Sequence, residues 1–474
     1  MARSSGRLGP AAAAIENLDG ASFSVAGTDC KMSPAPSGFL FEFSRREPAV
    51  SASRSLDWFI GSGHVGRNYL YARDGFLFQA PISYYSLAGR FAASPGYQQK
   101  PTIELTRPVT TACLQCHASR LQPVAGTANR FGAEPFLEGG VSCERCHGPG
   151  QQHVERAGQG VMVNPAKLPP ARRDSICAQC HLTGAARVAR VDPAQRYRPG
   201  DRLSDSIAVF VWGGSGAAAT SATNHFEQLA SSACQRVAGA KLWCRTCHPV
   251  HDKAVEVKTV CLGCHVSSKH KEENDGNCTA CHMPRRVTEM GDHVAYTDHS
   301  IARRPRPADV APARVELRPF GGAKYDARDL ALAYASAGVG AKALELLEKA
   351  AAQSPQDTAV LLQLAQLHDR AGHEEKAMAL YERVLRLDPG ETTAAINLGG
   401  SLMKRSRTRA AMALWESALR RNPGLIEARL NLAVARFRAG ERDAALAELK
   451  LALEWEPDHA VARQLLDEVT RAGR

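Results

Sequence analysis

The pattern Cys-x-x-Cys-His occurs six times in this chain, and it limits the possible folds more than any other feature. The motifs are Cys113-Cys116-His117, Cys143-Cys146-His147, Cys177-Cys180-His181, Cys244-Cys247-His248, Cys261-Cys264-His265 and Cys278-Cys281-His282. From the chain's own Cys and His frequencies, chance gives on the order of 0.01 such motifs. Two thiols three positions apart can form thioethers with the two vinyl groups of one porphyrin. The adjoining histidine is then placed beneath the ring as the proximal iron ligand. The spacing predicts six covalent haem c sites, with the twelve cysteines binding the cofactor and the six motif histidines its iron. Paired C-x-x-C could instead build four-cysteine zinc sites, a reading that leaves all six adjoining histidines unexplained. A thioredoxin-like redox pair occurs once, not six times.

At 474 residues the chain exceeds one ordinary domain, so two or three are expected. No run approaches the roughly 18 apolar residues of a membrane span. The stretch Ile207 to Trp212 has the length of a buried strand. A net charge of +11 would ordinarily suggest nucleic acid, but the basic residues are scattered and form no patch or stripe. Six haems, at about two propionates each, would add roughly −12 and nearly cancel that charge. Arg120, Arg130, Arg145, Arg156, Arg172, Arg173, Arg245, Arg285 and Arg286 stand near the motifs as propionate partners.

A second histidine on an iron gives a six-coordinate haem suited to electron transfer, and an iron lacking one can bind substrate. Seven histidines precede residue 300 outside the motifs: His64, His153, His225, His251, His270, His293 and His299. These are the distal candidates. His368, His373 and His459 lie in the helical C-terminal region and are expected at the surface.

Residues 143–154, CERCHGPGQQHV, resemble the C-x-x-C-H-G-P-G-x-x-H-V signature of multihaem cytochromes c related to the tetrahaem carrier of ammonia oxidisers. NHFEQLASSAC through KLWCRTCHPVHD, with CTACHMP and HVAYTDHSI, is similar to exported multihaem cytochromes that end in tetratricopeptide repeats. The resemblance implies that His153 ligates a neighbouring haem. It also implies distal roles for His251, His270, His293 and His299, with His225 and His64 completing the set.

The chain reads as mainly α: a haem-packed cytochrome domain with a small β-rich lobe, followed by an α-solenoid. Residues 1–37 are expected to be irregular. Residues 38–110 carry strand signals, with Phe39, Phe41 and Phe43 alternating against Leu40, Glu42 and Ser44. Asp74-Gly75 marks a hairpin, and His64 sits in the glycine-flanked GSGHVG. Residues 111–300 form the haem domain, in which the last three motifs begin only 17 residues apart. Residues 301–323 read as a Pro- and Arg-rich linker. From residue 324, Pro355, Pro389, Pro423 and Pro457 recur every 34 residues, the period of tetratricopeptide helix pairs. Small residues align in the first helix (Ala331, Ala365, Gly399, Ala433) and in the second (Ala343, Ala377, Ala411, Ala445). Four repeats and a capping helix near 458–472 are expected. Cys30 and Cys234 stand outside every motif as packed residues, free thiols or a disulfide pair.

Covalent haem attachment implies export to the periplasm or beyond, yet residues 1–30 lack the apolar run of a signal peptide. The expectation is that Met1 is internal to a longer protein, whose upstream part carries the signal and a seventh haem to match seven distal histidines. Three functions remain in play. The favoured one is an electron relay whose repeats dock a redox protein. Another is an oxidoreductase acting on a small nitrogen or sulfur compound at one open haem. The third is a repeat scaffold that haem merely stabilises.

Overall fold

The computed structural model describes the chain apart from residues 1–7, 15, 17–20, 26, 37, 64–65, 87, 98–99, 101, 191–196, 214–223, 252–255, 266–276, 287–295, 304–315 and 473–474. His64, His270 and His293 lie outside the described residues. The chain divides into two compact units, Val141–Ala343 in one and Ala2–Gly140 with Leu344–Arg474 in the other. Five motifs belong to the first unit; Cys113, Cys116 and His117 belong to the second.

The N-terminal lobe is larger than its sequence signals suggest. One antiparallel sheet holds Leu8–Pro10, Trp58–Ile60, Gly66–Arg73, Phe76–Tyr85 and Arg90–Ala93. A second holds Ser22–Val25, Thr28–Ala35, Gly38–Arg45 and Val50–Leu56. The stretch expected to be irregular over 1–37 therefore contributes three strands. In Thr28–Ala35, Thr28, Cys30 and Met32 point inward while Asp29 and Lys31 face out. That period-two pattern is hard to see in a strand so rich in polar residues. Phe41 and Phe43 are buried as their alternation predicts, joining Leu56, Tyr69, Tyr71 and Phe78 in one core. Asp74 and Gly75 both take positive φ (54° and 80°), and the turn pairs Arg73 with Phe76. A two-residue turn of that kind matches the twist of its strands.

The solenoid's helices alternate as the proline period predicts. After Ala327–Ser336 and Gly340–Gln353, the pairs are Thr358–Arg370 with Glu374–Leu387, Thr392–Lys404 with Thr408–Arg421, and Ile426–Arg438 with Arg442–Trp455. Ala460–Arg471 closes the series. Ala365, Ala433, Ala377, Ala411 and Ala445 are all buried, as small residues must be where helices approach closely. His368, expected at the surface, is 4% exposed, with its Nδ1 3.2 Å from that of His373. It falls on the inward stripe of its helix with Leu361, Leu364 and Ala365. His459 is also used locally, its Nδ1 accepting the Ala462 N–H.

The lobe packs on the end of the solenoid. Ile426, Ala452, Trp455 and Ala462 belong to the same buried cluster as the lobe's aromatics. The Trp455 ring meets Phe78 edge-on at 5.8 Å, and the Arg73 guanidinium lies over it at 4.2 Å.

In the other unit, Ile207–Trp212 is a strand, as its length suggested, paired with Ala186–Ala189 and with Leu317–Pro319. The last of these lies within the expected linker. Leu317 is 3% exposed and anchors that segment in the sheet. Both non-motif thiols are free; Cys30 is a core residue whose thiol is pushed up to about 12 by burial and then by Asp29.

Candidate metal centre

The second to sixth motifs each sit on one helical turn. Residues i, i+3 and i+4 share a helix face, so both thiols and the imidazole project the same way. The turn is closed by a backbone bond from the histidine to the first cysteine: His147 N–H to Cys143 O (2.9 Å), His248 to Cys244 (2.8 Å) and His265 to Cys261 (2.9 Å). The third motif ends the longest supporting helix, Pro170–His181; the fourth and sixth occupy Cys244–Cys247 and Cys278–His282. The first begins inside Thr111–Leu114, which holds Cys113; His117 N–H bonds Leu114 O (2.9 Å), and the buried Leu114 fastens the turn to the lobe.

Several imidazoles have one nitrogen committed to a carbonyl. His147 Nδ1–H is donated to Val163 O (2.7 Å), His153 to Gly160 O (3.1 Å), His282 to Ala302 O (2.9 Å) and His299 to Thr297 O (2.7 Å). A carbonyl can only accept, so in each case the proton is on Nδ1 and the Nε2 lone pair is left for a metal. A bond of this kind to the second nitrogen is the usual support of a ligating histidine.

The Val141–Ala343 unit also brings motif and non-motif histidines together. His147 stacks with His251 (5.7 Å between centroids, 20° between planes), and His248 with His299 (6.1 Å, 25°). Were haem iron bound, these imidazole pairs would be placed to supply it with a nitrogen ligand from each ring. His181 and His225 are 5.3 Å apart and joined directly, Nδ1 to Nδ1, at 3.3 Å. His225 also lies 4.4 Å from His299. Of the seven distal candidates, His225, His251 and His299 thus meet motif histidines. His153 pairs with no imidazole among the described residues.

Burial, followed by the neighbouring His299, lowers His181 to about 4 and His225 to about 3. Burial likewise lowers His248 and His299. All four rings are therefore neutral near pH 7, the form that binds a metal. Neighbouring motifs come close at their first cysteines, Cys177 with Cys244 and Cys261 with Cys278. The donor set and its neutral state fit haem iron.

Two features escape sequence reasoning. Gln228, 3% exposed, accepts the His299 backbone N–H at 2.9 Å, so the helix that carries His225 also holds His299. Its position three residues after His225 on one helix face was the only hint. Arg173, one of the arginines near the motifs, lies over Trp243 at 4.6 Å and donates to Ala240 O at 3.1 Å.

Residues 88–148 match the family model of cytochrome c554 and c-prime, and residues 334–399 and 402–469 match the tetratricopeptide repeat. The chain thus has a segment that matches the cytochrome c554 family ahead of tetratricopeptide repeats. Haem c bound covalently is the cofactor that this cytochrome family implies. Over 74 residues the chain is 36% identical to the C-type polyheme cytochromes OmcC and OmcB of Geobacter sulfurreducens. That segment is 15% of this chain and 9% of each relative, so the chain matches under a tenth of their length. Among solved structures, MamA 41-end from Desulfovibrio magneticus RS-1 is 20% identical over 31% of this chain and 83% of that one, with a TM-score of 0.29. YrrB, a tetratricopeptide protein with an unusual peptide-binding site, is 20% identical over 29% and 71%, with a TM-score of 0.27. No helix among the described residues is long and apolar enough to cross a membrane.

Proposed function

We propose that the chain is an exported multihaem c-type cytochrome that relays electrons through closely spaced, mainly bis-histidine haems, and that its repeats dock a redox protein. The observation that carries this reading is the pairing of motif with non-motif imidazoles in the Val141–Ala343 unit. On this reading the six motif cysteine pairs hold six haems, and His117, His147, His181, His248, His265 and His282 are their proximal ligands. His251 serves with His147, His299 with His248, and His225 with His181. The remaining three irons draw their distal ligands from His153, His64, His270 and His293. Bound there, haem supplies an iron that cycles between ferric and ferrous, passing one electron at a time. The protein's own part is to hold neutral imidazoles and to exclude exchangeable ligands. The close approach of the first cysteines of motifs three and four, and of five and six, supports short steps between neighbouring cofactors.

Haemochrome quantitation and EPR of the oxidised, haem-loaded protein test this. Six haems per chain with low-spin ferric signals are expected. A count of two or three would overturn the ligand scheme. A distinct high-spin signal that responds to nitrite or hydroxylamine would instead favour an oxidoreductase with one open haem.

A further inference from the structure

The last inter-repeat turn differs from the others in what its polar side chains do. The residue before each repeat proline is Ser354, Asp388, Asn422 or Glu456. Asp388 and Asn422 close their own turns, accepting the N–H of Gly390 (2.9 Å) and Gly424 (3.0 Å). Glu456 makes no such local bond among the described residues. Its carboxylate reaches into the lobe, accepting the N–H of Leu105 (2.6 Å), the N–H of Thr106 (2.9 Å) and the Thr106 hydroxyl (2.8 Å). Two residues on, where the middle turns have Gly390 and Gly424, stands Asp458. It accepts the Ile103 N–H at 2.9 Å and pairs with Arg45 (3.1 Å) and Arg463 (3.0 Å). Both acids are buried, Glu456 at 4% and Asp458 at 1% exposure. Burying two carboxylates is costly unless each is fully bonded, and here the backbone of 103–106 supplies much of the bonding.

That backbone leads straight to the first motif. After Thr106 the chain runs beside the strand Phe76–Tyr85, with Gln79 N–H bonding Arg107 O (3.0 Å) and Val109 N–H bonding Leu77 O (2.9 Å). Thr111–Leu114 follows at once, and Val109, Leu114 and Ala118 share one buried cluster. The chain is thus held without a break from Ile103 to the motif turn.

We propose that Glu456 and Asp458 are positioning residues for the first haem motif: the end of the solenoid clamps 103–106 and thereby sets where Cys113, Cys116 and His117 stand. This rests on the reading that the motif binds haem. The repeats then have a second task, holding the lobe that carries a redox centre, besides any docking of a partner. Burial pushes the Glu456 carboxyl up to about 7, against the pull of the bonds from 105–106; a glutamine there would keep one accepting oxygen and turn an NH2 toward the other backbone donor.

The test uses the full haem-loaded chain and begins with H117A, which identifies the first haem by the low-spin EPR signal and midpoint potential it removes. E456A is expected to move that signal and that potential while those of the other haems stay, and E456Q, which keeps one of the two accepting oxygens, to move both by less. D458N, which keeps an acceptor for Ile103 but weakens the ion pairs, is expected to give a smaller shift of the same haem. An E456A protein with an unchanged first haem, or one in which every haem moves alike, would overturn the clamp. If E456A does not fold, D458N leaving the first haem unmoved overturns it equally. If H117A removes no signal, the haem reading of this motif fails and the clamp falls with it.

Discussion

Replacing Gly399 by alanine should destabilise the solenoid, although alanine is the better helix former and fills the equivalent positions Ala331, Ala365 and Ala433. In the helix Thr392–Lys404, Gly399 faces Trp415, which is 1% exposed and donates its indole N–H to Ile396 O at 3.2 Å. A Cβ on residue 399 would lie 2.6 Å from the indole Cε2. The helix gains about 1 kcal/mol from losing a glycine. Overpacking a rigid, buried ring costs about 1–3 kcal/mol. Moving the ring also loses a hydrogen bond worth about 1 kcal/mol. The balance is a net loss of about 2 kcal/mol. Urea unfolding of the haem-loaded chain, followed by far-UV dichroism, reads it as a lower midpoint for the solenoid transition. Trp415→Leu is itself costly, but in that background the sign reverses: adding G399A should raise the midpoint, because only the propensity gain remains. A midpoint that rises in the Trp415 background, or falls equally in both, would refute the steric argument.

Two other outcomes follow from the geometry. His251→Ala should leave the haem count unchanged but create a high-spin ferric EPR signal equal to one haem, because His147 loses the imidazole 5.7 Å away. The buried His368, beside the exposed His373, predicts acid sensitivity in the solenoid. Burial, followed by Lys376, holds His368 below its ordinary value, so its contribution to stability is present above about pH 6.5 and is lost as pH falls below that. The thermal midpoint of the solenoid should drop between pH 7 and pH 5, and His368→Gln should flatten that slope.

Short-range patterns carried much of this protein in the sequence. A C-x-x-C-H motif is five residues long, so its meaning is complete within that stretch. The 34-residue period repeats one helix pair against the next, and Asp74-Gly75 states its turn in two residues. Each depends on neighbours along the chain, and each could be read without knowing where distant residues lie. The strand Thr28–Ala35 was less legible because its outward face is polar and its inward face is short.

Tertiary structure decided what depends on distant partners. Seven histidines could be counted, but only folding sets His251 beside His147 and His299 beside His248, since those meetings cross more than fifty residues in either case. Glu456 and Asp458 look in sequence like ordinary turn residues after a repeat helix. Their role appears only when residues 103–106, some 350 positions earlier in the chain, arrive with backbone N–H groups that need acceptors. The physical reason is the same in both cases. A covalent spacing fixes local geometry, whereas a ligand pair or a buried carboxylate is completed by groups that chain order does not bring near.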